Sequence, residues 1–170
     1  MPTQPTPGAY TLDPAGSSVR FRHKTFWGLV TVKGTFSTLR GTGTVAADGT
    51  GSGTLTIESA TVSTKNPMRD NHLRSKDFFH VKDFPEITFN ATKIANTADG
   101  AAQVEGELTV RDAKQALSFP ATYEARGADS LVLRGEVEVD KTHYGITWNQ
   151  FGMMGGKTTV ELELVFSAAG

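Results

Sequence analysis

Residues 131–139 read LVLRGEVEV. Leu131, Leu133, Gly135, Val137 and Val139 share one side of an extended chain, and Arg134, Glu136 and Glu138 share the other. Period-two alternation of this kind predicts a strand with one apolar and one polar face. The same pattern recurs along the chain. Val19 and Phe21 oppose Arg20 and Arg22, while Val30, Val32, Gly34 and Phe36 oppose Thr31, Lys33 and Thr35. Leu55 and Ile57 share a face, as do Ile87, Phe89 and Ala91, and then Val104, Gly106, Leu108 and Val110. Leu117, Phe119, Ala121 and Tyr123 form a further set, and Val160, Leu162, Leu164 and Phe166 the last. Eight strands result, with turn signals at Asp48-Gly49, Asp99-Gly100, Asp112-Ala113 and 127–129.

Strands apolar on one face only belong to antiparallel sheets. Eight of them close into a barrel or pack as a sandwich, and a barrel of that size can hold one small ligand. Gly34, Ala91, Gly106, Ala121 and Gly135 all fall on the apolar face. They read equally as the floor of a channel or as points where strands coil sharply. On the channel reading, Gly106→Phe would block the lumen.

Composition narrows the function. The chain has 170 residues, 38% hydrophobic and 21% charged, which suits one folded domain. Residues 1–9 are rich in Pro and Thr and are expected to form a flexible tail, leaving 10–170 as a single domain. A net charge of -1 gives no basic surface for nucleic acid. With 0 cysteines there is no disulfide framework, thiolate metal site or cysteine nucleophile. No apolar run is long enough to span a bilayer, and MPTQPTPGAY at the start is no secretory signal. The expected location is cytoplasmic, or secreted or periplasmic had a leader been removed.

One segment breaks the strand pattern. Asn66-Pro67 is a helix start, with Asn as N-cap and Pro in the first turn. One helix or two helical turns are predicted over about 67–79, crossing between the third and fourth strands to close one barrel end. Leu73, Phe78, Phe79 and Phe84 are its apolar anchors. Arg69, Asp70 and His72 have two readings: they fix the crossing by bonding backbone groups, or they meet a ligand head group. The histidines His23, His72, His80 and His143 show no HxH or HExxH spacing, so no metal site is assigned. Asp70 and His72 are two apart and do not share a helix face, so no catalytic residue is assigned.

The stretch STKNPMRDNHLRSKDFFHVKDFPEITF resembles the signature of the YceI-like family of polyisoprenoid-binding proteins. YTLDPAGSSVRFRHKTFWGLVTVKGTFSTLRG, GELTVRDAKQALSFPATYEA and GEVEVDKTHYGI are similar to its other blocks. The likeness runs from Tyr10 to about Phe166. It implies an all-β, eight-stranded, lipocalin-like antiparallel barrel. It further implies that an apolar channel holds a long isoprenoid chain, such as a polyprenyl lipid or quinone tail, for transport, storage or sequestration. No cofactor is required on this view, the bound lipid is the partner, and a homodimer is an expectation. The chain departs from the family at Asp140-Lys141-Thr142-His143-Tyr144, where an Asp-Arg pair is common.

The channel lining expected from the apolar faces is Phe21, Val32, Phe36, Ile57, Phe89, Leu108, Phe119, Leu133, Val137, Leu162 and Leu164, with Leu73 and Phe79 at one end. Trp148 joins them from YGITWNQFGMMGGK, a stretch rich in Met and aromatics that reads as an entrance or as a plug. Phe26 and Trp27 read in the same way. Two alternatives stand beside the lipid carrier. One is a lipid-modifying enzyme with His72 or His143 as general base. The other is a filled, ligand-free β-sandwich used for protein contacts.

Overall fold

The computed structural model describes residues 5–25, 30–144 and 154–169. Among these residues eleven strands make one sheet: β1 (Gly8–Leu12), β2 (Ser18–Thr25), β3 (Val30–Phe36), β4 (Leu39–Val45), β5 (Gly51–Glu58), β6 (Val62–Ser63), β7 (Glu86–Ala98), β8 (Ala101–Val110), β9 (Ala113–Arg126), β10 (Ser130–Asp140) and β11 (Met154–Ala168). The one α-helix among the described residues, α1 (Pro67–Arg74), lies between β6 and β7. Every pairing is antiparallel.

Eight strands close into a barrel in the order β1, β4, β5, β7, β8, β9, β10 and β11, with β1 pairing back onto β11. The expected architecture is therefore present. The remaining strands, β2, β3 and β6, continue the wall beyond β1, β4 and β5: β2 pairs with β11 along the same edge as β1, β3 pairs with β2, and β6 with β3. β1 and β4 were not among the eight predicted strands. β1 includes Gly8 and Ala9 from the expected tail, paired with Val45 and Thr44. β4 reads LRGTGTV, so glycine occupies two of its inward positions and the apolar alternation vanishes.

Register places small residues side by side. Gly43, Gly53, Ala91 and Gly106 are direct partners across four successive strands. Gly135, Ala121 and Ala102 form a second row. Some of these positions are seats for aromatic rings. A Cβ at Gly34 would lie 2.3 Å from the Phe21 ring, one at Gly106 2.9 Å from Phe89, and one at Gly135 3.0 Å from Phe119. Each ring reaches into the space that a side chain at the glycine would fill. At Gly106 the Cβ would also lie 2.2 Å from the Asn90 carbonyl oxygen. Gly106→Phe would thus strike the backbone of the neighbouring strand rather than merely fill the lumen, which corrects the expected use of that substitution.

The crossing is where the sequence places it, but the helix ends at Arg74 rather than at residue 79. Asn66 caps it, its side chain accepting the Arg69 N–H at 3.1 Å, with Pro67 in the first turn. Ser75 then turns to extended geometry, and both its N–H and its hydroxyl donate to the His72 carbonyl. Successive turns carry the chain to β7, with His80 in the left-handed region at φ 50°. Phe78 is buried and Phe79 packs edge-on against Phe36, with ring centroids 5.6 Å apart.

The polar outer face is laced by charge. Glu136 and Glu161 stand directly opposite each other on β10 and β11, and Arg22 of β2 pairs with both. The like-charge clash that such a pair would otherwise create is neutralised there. These ion pairs are exposed, so each adds little to stability.

Candidate functional site: an apolar channel through the barrel

The inward faces enclose a cavity of about 790 Å³, within the range of small-molecule binding sites. It is long. On β10 its lining runs from Leu131 to Val139, and on β11 from Thr158 to Phe166. Eight residues of antiparallel strand cover about 27 Å. One end lies beneath α1, where Asn66, Met68, Arg69 and His72 reach the lining. The opposite end is lined by Thr44, Gly49, Ser52 and Asn96, near the hairpin turns. Phe89, Leu133 and Leu162 pack against both of the barrel's core clusters and so mark the junction between them, the waist.

The structure brings together Phe21, Val32, Phe36, Ile57, Leu73, Phe79, Phe89, Leu108, Phe119, Leu133, Val137, Leu162 and Leu164 on this one surface. Trp148 lies outside the described residues, as do Phe26, Trp27, Phe151 and Met153. Several lining residues escaped the sequence reading. Tyr10 belongs to the unpredicted β1. Ile94 and Asn96 face inward because a bulge between Ala91 and Lys93 inverts the alternation of β7. His23, buried in the wall, has Nδ1 2.8 Å from the Thr158 hydroxyl.

The three polar residues of the crossing separate into different roles. Asp70 is only 6% exposed and does not reach the cavity. Its carboxylate accepts the Thr64 N–H at 2.8 Å and the Thr64 hydroxyl at 2.6 Å. Arg69 donates from Nε to the Thr64 hydroxyl oxygen at 2.8 Å and from Nη2 to the Thr64 carbonyl at 3.1 Å. Arg74 donates to the Ala60 and Val62 carbonyls. These bonds fasten α1 to the chain around β6. Arg69 and His72 also border the cavity, and His72 Nε2 lies 2.9 Å from an Asp77 carboxylate oxygen. The His72 ring meets Phe78 edge-on at 5.0 Å between centroids.

Apart from these rim groups, the His23 imidazole, the Asn96 amide and a few hydroxyls, the lining is hydrocarbon and aromatic. Such a lumen offers contact area and little directional chemistry. Among the described residues no three His, Asp or Glu side chains gather as a metal site would need. Tyr144, at the helix end, is buried, and burial pushes its phenol above its ordinary pKa, keeping it neutral.

Comparison with known proteins gives a consistent result. Residues 10–166 match the family model described as a YceI-like domain. A UPF0312 protein of Staphylococcus aureus is 30% identical over 161 residues, covering 86% of this chain and 87% of its own. A UPF0312 protein of Pseudomonas putida is 31% identical over 115 residues, and the match spans 59% of that relative's length. Among solved structures, Burkholderia cenocepacia BcnA superposes with a TM-score of 0.83 at 21% identity, covering 91% of this chain and 98% of that one. A polyisoprenoid binding domain from Saccharophagus degradans, implicated in plant cell wall breakdown, gives 0.75 at 14% identity, covering 94% and 98%.

Proposed function

This chain belongs to the YceI-like family, and we propose that its barrel binds the hydrocarbon chain of an isoprenoid lipid, polyprenyl or quinone-linked, and carries, stores or sequesters it. The observation that carries this reading is the cavity itself: long, apolar, and lined along the barrel by side chains from nearly every strand. The polyisoprenoid-binding description of the Saccharophagus degradans domain supports the ligand class. Each methylene moved from water into such a lumen contributes about 0.8 kcal/mol, so a chain of several prenyl units binds well without polar contacts, less the entropy of ordering it. Arg69, His72 and Asn66 at the rim suit a head group that presents oxygen acceptors. Binding rather than catalysis is the activity proposed.

The test uses the waist. Leu162→Trp adds bulk where both core clusters meet. With geranylgeraniol carrying a nitrobenzoxadiazole label as probe, affinity is expected to fall about tenfold or more, the loss of about two methylenes of wall contact. Far-ultraviolet circular dichroism should remain that of the parent. Unchanged affinity in a folded variant would place the ligand elsewhere.

A further inference from the structure

The barrel wall has a break with a cause in the sequence. β9 and β10 pair from Arg126↔Ser130 to Ala121↔Gly135 and no further. Both strands run on, β9 back to Ala113 and β10 forward to Asp140. Tyr123 N–H donates to the Gly100 carbonyl at 3.0 Å, on the side of β8. Along an antiparallel strand the direction of N–H and C=O alternates from residue to residue. Odd residues of β9 therefore face β8 here, and even ones face β10. Residue 120 is even, and it is proline. The next rung, opposite Glu136, lacks its donor, and the ladder stops.

Beyond that point the two strands form the lips of a seam. Leu117 and Phe119 stand on one lip, Val137 and Val139 on the other, and all four line the channel. The 3-10 turn Lys141–Tyr144 folds back at the lower end, where Gln115 Nε2 donates to the His143 carbonyl at 3.2 Å. The crossing that carries α1, by contrast, is fastened through the paired Asp70, Arg69 and Arg74 bonds to backbone groups. Of the two, the seam has the weaker closure among the described residues.

We propose that the β9–β10 seam is a lateral entrance, through which an apolar chain slides side-on into the channel, and that Pro120 keeps it open. This rests on the lipid-binding reading above. Side-on entry lets each segment of the chain exchange water for wall in turn, while a polar head stays at the rim near α1. End-on threading would drag the tail along the full length of the lumen, whereas entry at the seam leaves only the part beside the paired β9–β10 rungs to be threaded.

Pro120 and its neighbours on the outer face do not line the channel, so rate and affinity can be separated. Ser118 and Glu138 would oppose each other if the ladder continued, and both are exposed. The chain has no cysteine of its own. In Ser118→Cys/Glu138→Cys, a short bis-maleimide joins the lips. The cross-linked empty protein is expected to take up labelled geranylgeraniol far more slowly than the untreated double variant, and protein loaded before cross-linking to retain it. Pro120→Thr restores the missing N–H. Its residue-120 amide should become protected from exchange, with uptake and release both about tenfold slower, the scale of one added backbone hydrogen bond, and equilibrium affinity little changed. Uptake by the cross-linked protein at the untreated rate overturns the entrance, whatever the proline variant does. Absence of probe binding by the unmodified chain instead overturns the lipid reading, and the entrance with it.

Discussion

Gly106→Ala is expected to lower the melting temperature by about 10 °C, whereas Gly34→Ala lowers it by only about 3 °C. Both are glycines on the inner face of a strand with a phenylalanine ring above them. They differ in what an added methyl group would meet. At Gly106 it meets the Asn90 carbonyl at 2.2 Å and the Ala91 Cα at 2.9 Å, both main-chain atoms of β7. The strands must separate to admit it, and overpacking of this kind costs about 3 kcal/mol or more. At Gly34 the three nearest atoms all belong to the Phe21 ring. A ring can turn, so the cost is about 1 kcal/mol. For a domain of this size each kcal/mol moves the transition by about 2–4 °C. The turned Phe21 ring then projects into the lumen, so Gly34→Ala should also weaken uptake of an apolar probe. Equal losses of stability in the two variants, measured by thermal circular dichroism, would contradict the distinction between a main-chain obstacle at Gly106 and a movable ring at Gly34.

Asp70→Ala carries the second large effect. The carboxylate is buried and holds both the N–H and the hydroxyl of Thr64, which in turn receives Arg69. Removing it leaves a buried backbone N–H without its acceptor and deprives the Arg69 site of a nearby negative charge. The expected loss is about 3 kcal/mol, read as a fall of about 6–12 °C in melting temperature. Asp70→Asn keeps an oxygen in place and should lose about half as much. A loss within about 0.5 kcal/mol, typical of a surface substitution, would contradict the role of Asp70 in fastening the crossing.

Much of this was legible from side-chain alternation. Strands such as β8 and β10 put a large apolar residue at most inward positions, so their faces declare themselves. β4 does not, because Gly41 and Gly43 stand where apolar markers would be, and β1 is short. The bulge in β7 adds a residue at Thr92 and turns Ile94 inward, which strict alternation cannot anticipate. Arg69, Asp70 and His72 were recognised as a group, but their division of labour depends on which way each side chain leaves a short helix. Asp70 turns to Thr64, while Arg69 and His72 also border the lumen. Pro120 was visible in the sequence all along. Its consequence depends on which neighbour its missing N–H faces, and that follows only from the register of β8 and β9.

The central claim is that the channel is a lipid site. Purifying the protein without detergent, extracting it with organic solvent and analysing the extract by mass spectrometry tests this most directly. A prenyl-series lipid recovered in near-equimolar amount is the predicted result. An extract free of such lipid, together with no uptake of added polyprenyl quinone by the emptied protein, would contradict it.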